Sequence, residues 1–407
     1  MRASRRRSTS IIIIWSATAL VVAFARQSDP VTDWAITVES IASPAGRNTT
    51  EPQMTTENGR TILSWLELSG SHTTLKFAER TASGWFPVQA VADGADFVVN
   101  AADVPSVRLL RDGTLVAHWL QQDGPDPEAD SLQLTKSTDA GKTWSAPFRP
   151  HHGGVQTQHG FASLFQVPGA GFGLVWLDGR AIKPDAPEGS GNMALRAAVF
   201  DADGRQQPET VVDSRVCECC PTASATTSDG IIVAYRNRDP NEVRDIYLTR
   251  FSNGRWTPPV AVHNDHWRLE GCPVNGPAVS ARGRDVVVAW FTATGEQGRT
   301  LVAFSHDAGR TFGSPVRADE RTSAGRVGVE LVDDQSAVVT WVESAAPPAF
   351  TVRRIDDRGR RGAAKMIAEA TGTRQPRVAR FGDEMLFAWT ATEAGIPRVQ
   401  TARARIH

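Results

Sequence analysis

The stretch VVVAWFT, Val286–Thr292, is a short apolar run that ends on an aromatic ring, and the chain carries this phrase seven times. It reads TILSWLE at Thr61–Glu67, TLVAHWL at Thr114–Leu120, FGLVWLD at Phe172–Asp178 and IIVAYRN at Ile231–Asn237. It returns as AVVTWVE at Ala337–Glu343 and MLFAWTA at Met385–Ala391. The aromatic positions Trp65, Trp119, Trp176, Tyr235, Trp290, Trp341 and Trp389 lie 54, 57, 59, 55, 51 and 48 residues apart. Short apolar runs rich in β-branched residues and bounded by turn signals read as strands, and no stretch sustains a helical period. A strand-built repeat of this length is that of a β-propeller, whose unit is a four-stranded sheet.

Each unit parses alike. An opening strand (PSVRLL or GPAVSAR) is followed by a turn such as RDG or SDG, the aromatic-ended strand, a loop, an alternating strand such as LQLTKS, a glycine turn and a final strand such as PVAVHN. The seventh unit has no room for a fourth strand before His407, and WAITVES, Trp34–Ser40, can supply it. That closure pairs both edges of the ring and removes an exposed edge. The expected architecture is therefore all-β, a single propeller domain over 34–407 with seven blades, or six if one unit is not a true blade.

Two octapeptides fall at the third turn, STDAGKTW (Ser137–Trp144) and SHDAGRTF (Ser305–Phe312). In each, the aspartate (Asp139, Asp307) can accept turn amides, the glycine (Gly141, Gly309) can take a positive φ, and the terminal ring (Trp144, Phe312) can plug the sheet face. Both match the Asp-box, and over most of residues 34–407 the chain resembles the sialidase (Asp-box, BNR-repeat) superfamily. The resemblance implies peripheral, structural aspartates. For an exo-alpha-sialidase-like glycoside hydrolase it also implies three arginines on the substrate carboxylate, a tyrosine activated by a glutamate, and an aspartate as acid/base. The chain departs from that pattern: the first blade reads SPAGRNTTEPQ, with Arg47 as the substitute for the family arginine, and only two tyrosines, Tyr235 and Tyr247, are present.

The N-terminus places Arg2, Arg5, Arg6 and Arg7 before a 15-residue apolar run, Ile11–Ala25, ending Ala-Phe-Ala. This is the layout of a signal peptide over 1–25, followed by a linker over 26–33, and it implies a secreted or periplasmic protein. The run is shorter than the about 20 residues of a membrane span, so no stable membrane insertion is expected after cleavage. With 44 basic against 45 acidic residues, the basic excess of a nucleic-acid binder is lacking.

In a propeller, the loops joining successive blades and those between the second and third strands share one axial face, where ligand sites usually lie. Here they gather all four cysteines. VCECCPTAS holds Cys217, Cys219 and Cys220 at the start of blade 4, and EGCPVNGPA holds Cys272 at the start of blade 5. Oxidation would join Cys272 to a member of the first cluster, since exported thiols pair. Alternatively, Cys217, Cys219, Cys220 and Cys272 with His266 form a soft-metal site for copper or zinc. Arg180, Arg236 and Arg244, with His159, are the candidates for holding an acidic small molecule or glycan, because a guanidinium forks onto carboxylate. Asp178, Asp245 and Glu270 are the acid/base candidates, and hydrolysis would require two carboxylates about 5–10 Å apart. A metal or redox protein and a non-catalytic protein-interaction propeller are the alternative functions.

Overall fold

The computed structural model describes residues 34–406 apart from 128, 154–155, 168–170, 183–191, 296 and 371–373. The expected signal peptide and linker, and most of the loop after Arg180, lie outside the described residues. The rest form seven antiparallel sheets around an axis, each following chain order outward. Seven blades, not six, close the ring.

Blade 1 comprises Thr49–Glu57, Arg60–Ser69, His72–Thr81 and Gln89–Gly94. Blade 2 comprises Ser106–Leu109, Leu115–Gln122 and Asp130–Ser137, and blade 3 His159–Val167, Gly171–Asp178, Met193–Phe200 and Thr210–Val216. Blade 4 runs Ala223–Thr227, Gly230–Arg236, Ile246–Ser252 and Val260–Ala261; blade 5 runs Ala278–Arg282, Asp285–Thr292, Arg299–Ser305 and Val316–Arg317. Blade 6 holds Ser323–Leu331, Ser336–Glu343, Ala349–Asp356 and Lys365–Glu369. Blade 7 holds Arg374–Phe381, Glu384–Glu393 and Ile396–Arg405, with Val38–Ile41 as its outer strand. The closing strand starts later than the sequence suggests: Val38 pairs with Ala404 and Ile41 with Thr401. The outer edge of blade 2 is reduced to a bridge between Leu134 and Phe148. Pro147 and Pro150 flank that bridge and lack the amide a ladder needs.

The repeat aromatics have one job. The apolar core divides into seven clusters, each shared by two neighbouring blades. Every repeat aromatic lies in the cluster facing the preceding blade: Trp65 against blade 7, Trp119 against blade 1, Trp176 against blade 2, Tyr235 against blade 3, and so on around. All seven are buried. The ring is thus held by interdigitated side chains between sheets, with side-chain hydrogen bonds such as Thr55 Oγ1 to the Val107 carbonyl at 2.7 Å and Ser224 Oγ to the Leu164 carbonyl at 2.9 Å added across the blades.

The Asp-boxes act as the octapeptides imply. Asp139 accepts the Thr143 amide at 2.9 Å and its hydroxyl at 2.6 Å, while Ser137 Oγ accepts the Gly141 amide at 2.9 Å. Asp307 repeats this with Thr311 at 2.9 and 2.7 Å. Gly141 has a φ of 86° and Gly309 one of 75°. Trp144 and Phe312 cover the clusters between blades 1 and 2 and between blades 4 and 5. These turns join third to fourth strands, at the end of each blade opposite the cysteine loops.

Candidate functional site

Cys219 and Cys272 form a disulfide that links the loop leading into blade 4 to the loop leading into blade 5. Cys217 and Cys220 are free thiols, both 1% exposed, with their sulfurs 3.1 Å apart. The Sγ atoms of Cys217, Cys219 and Cys220 all lie within 4.8 Å of one another, and among the described residues no histidine or carboxylate joins that group. His266, expected as a further ligand, is exposed and contributes its backbone instead: with a φ of 55° it gives its amide to Asp245 at 3.0 Å. With Cys219 committed to a disulfide, two thiols remain as soft donors.

The arginines beside this cluster are engaged within the protein. Arg236, 2% exposed, donates to the carbonyls of Asn275 at 2.9 Å, Arg244 at 2.6 Å and Phe291 at 2.7 Å, and its guanidinium lies 4.9 Å from the Trp267 ring centroid. Arg244 donates to Leu269 O at 3.0 Å, to Glu218 at 2.7 Å, to Glu242 at 3.0 Å and to Cys217 Sγ at 3.2 Å. Burial alone would raise the Cys217 thiol. The hydrogen bond from Cys220 and the charges of Arg236 and Arg244 outweigh it and hold Cys217 below the ordinary thiol value. Burial and the neighbouring Cys217 push Cys220 the other way.

The second group joins blades 2 and 3. Asp178, 1% exposed, accepts Trp176 Nε1 at 2.8 Å and Arg180 Nε at 2.9 Å. Burial works against its ionisation, but the hydrogen bonds from Arg180 and Trp176 keep it below the usual carboxylate value. Arg180 also bridges to Glu209 at 2.5 Å and to the His152 carbonyl. His159 begins the innermost strand of blade 3, its amide on Asp130 at 2.6 Å and its ring stacked 3.8 Å from His151. Asp245 accepts the amides of His266 and Trp267, and Glu270 is exposed and paired with Arg268 at 2.9 Å. The three expected acids therefore sit in separate surroundings, two of them shaping the backbone.

The open space lies on the axis. The innermost strands surround a channel of about 490 Å³ lined by Arg108, Arg111, Arg282, Arg377 and Arg380 against Glu57, Asp103 and Glu330. Burial pushes Asp103 up to about 8 and Glu330 up to about 7, so near neutrality Asp103 is mostly protonated and Glu330 about half so, which leaves the arginines of the wall in excess. Arg111 pairs with Glu57 at 3.2 Å, and Arg282 and Arg380 donate to the carbonyls of Leu331 and Val332. Among the described residues the Nε of Arg108 and that of Arg377 have no hydrogen-bond partner; Arg108 gives Nη1 to the Leu164 carbonyl at 3.2 Å, whereas burial with the nearby charge of Arg326 lowers the Arg377 pKa to about 10. None of these channel residues stood out in the sequence. The usable signal was register: Arg108 and Glu330 stand opposite Val116 and Val338, each three residues before a repeat aromatic.

The two tyrosines are not in the channel. Tyr235 is fully buried and donates its hydroxyl to Asp213 at 2.5 Å; Tyr247 is half-buried, its ring centroid 6.5 Å from that of Tyr235.

No family model matches the chain, and no curated protein matches it. Among solved structures the fold is shared with the BP39L lectin from Burkholderia pseudomallei, at 14% identity over 86% of this chain and 94% of that one, with a TM-score of 0.60. It is also shared with the polysaccharide lyase Uly1, at 9% identity over 95% of this chain and 94% of that one, with a TM-score of 0.52. A Hadza microbial sialidase is similar at 17% identity over 72% of this chain, with a TM-score of 0.43, and the chain spans 63% of that protein. The protein is a seven-bladed β-propeller that shares its fold with that lectin and that lyase.

Proposed function

We propose that this propeller binds an anionic carbohydrate in its axial channel, with Arg377 as the principal contact for the acidic group, and that binding rather than hydrolysis is its activity. The observation that carries the reading is the unpartnered Arg377 Nε on a cationic wall. A guanidinium N–H held away from water and left without an acceptor is costly, and a ligand carboxylate or sulfate would supply one. The lectin and the polysaccharide lyase that share the fold supply the carbohydrate part of the reading. Against hydrolysis, Asp178 and Asp245 are occupied by internal hydrogen bonds and neither tyrosine reaches the channel. Export to the periplasm or beyond belongs to the same proposal, and the Cys219–Cys272 disulfide supports it.

Titration calorimetry with sialyllactose and with lactose tests this. The acidic sugar should bind and the neutral one should not, and Arg377→Gln should weaken binding by roughly 10- to 100-fold, the worth of one charged hydrogen bond. Equal binding of both sugars, or an unchanged affinity in Arg377→Gln, refutes the site. Release of free sialic acid from a fluorogenic sialoside refutes the non-hydrolytic reading.

A further inference from the structure

The sulfur cluster is built for more than a staple. A single disulfide would hold the two loops, yet two further thiols lie beside it, three residues apart in sequence and 3.1 Å apart in space. A buried guanidinium, Arg244, donates to one of them at 3.2 Å, and the charge of Arg236 reaches both. Cys217 and Cys220 are sealed from solvent, Cys219 is half-buried and Cys272 is exposed, so the disulfide forms the way out. We propose that the four cysteines are a thiol–disulfide exchange centre: Cys217 is the buried nucleophile, Cys220 the resolving thiol, and Cys219–Cys272 the contact with an external disulfide.

The internal transfer balances in two steps. The Cys217 thiolate attacks Cys219 Sγ; a Cys217–Cys219 bond forms, the Cys219–Cys272 bond breaks, and Cys272 leaves as a thiolate that takes a proton from water. As Cys220 attacks Cys217 Sγ its proton passes to the departing Cys219; a Cys217–Cys220 bond forms, the Cys217–Cys219 bond breaks, and Cys219 leaves as a thiol. Two electrons pass from the buried pair to the outer pair with no net oxidation. The outer dithiol is then reoxidised by an external disulfide, which is reduced to two thiols. The 4.8 Å spread of the three sulfurs allows both attacks without moving the loops between blades.

The test uses the whole protein, oxidised glutathione as the external disulfide, and differential alkylation with peptide mapping. In the unsubstituted protein the buried pair should become a Cys217–Cys220 disulfide. In the double variant Cys219→Ser/Cys272→Ser that oxidation should slow by at least about tenfold, because the route through the outer pair is gone. An unchanged rate overturns the proposal. Cys220→Ala, which leaves the outer disulfide in place, should accumulate the Cys217–Cys219 bond with Cys272 open to alkylation; finding only Cys219–Cys272 overturns it. So does one equivalent of copper or zinc bound with Cys217 and Cys220 protected, which would make the pair a metal site.

Discussion

Replacing Arg236 with alanine separates a ligand-binding arginine from an architectural one. The side chain is 2% exposed and satisfies three carbonyls, those of Asn275, Arg244 and Phe291, which belong to the loop between blades 4 and 5, to blade 4 and to blade 5. Each carbonyl left buried without a donor costs about 1–3 kcal/mol. The contact with Trp267 adds about 1 kcal/mol. Part of the sum returns because water enters the hole and because a buried charge is removed, leaving an expected loss of about 3–5 kcal/mol. Urea unfolding followed by tryptophan fluorescence reads this directly, and Arg236→Lys should recover less than half, since an ammonium cannot span three acceptors set for a planar fork. Ligand affinity measured under native conditions should stay within about twofold, as the guanidinium is buried and Arg236 does not line the channel. A loss below about 1 kcal/mol, or a stable variant that no longer binds ligand, would refute the reasoning and return Arg236 to the binding site.

Gly173→Ala should destabilise by about 1–3 kcal/mol, because the added Cβ would stand 2.2 Å from the Phe165 ring in the middle of blade 3; thermal unfolding reads it. Asp103 gives a pH signature. Its folded pKa of about 8 lies above the unfolded carboxylate value, so the native state binds the extra proton and stability falls as pH rises from about 4 to about 8, then levels. Asp103→Asn should remove that slope and leave the variant roughly 3–4 kcal/mol more stable relative to the parent at pH 8 than at pH 5, by urea unfolding at each pH. Asp307→Ala deletes both turn hydrogen bonds to Thr311 and should cost about 1–2 kcal/mol by the same method, with ligand binding unchanged because the turn lies at the far end of the blade.

The fold was readable because the residues that specify it recur. An aromatic ring at each blade interface must be replaced by another, so Trp290 and its six counterparts keep their spacing. The Cys219–Cys272 link was readable for a related reason: propeller connectivity puts successive axial loops side by side. The roles of single polar residues were not. Arg180 and Arg236 each follow an aromatic strand, and composition does not say whether such a side chain turns outward to a ligand or inward to carbonyls; the neighbouring loops decide that, and they come from other blades. His266 was chosen for its imidazole, whereas the fold uses its amide and its left-handed backbone. The channel was hidden because its wall takes a few residues from each of seven short innermost strands, where alternation is too brief to signal. Arg377 becomes notable only when its surroundings are known.

Closing the seventh blade with Val38–Ile41 also changes what it means to cut this chain. The first and last strands of the described residues meet in one sheet, so the propeller backbone traces a nearly complete circle and its point of opening is arbitrary. Joining the ends and opening the chain at an exposed hairpin such as Asn58–Gly59 should yield a permuted molecule with the same seven interfaces. A nick between blades likewise leaves fragments that stay clasped, because each remains wedged between two neighbours. A linear stack of repeats can fray from its ends; a circle has none, and this architecture must come apart as a whole.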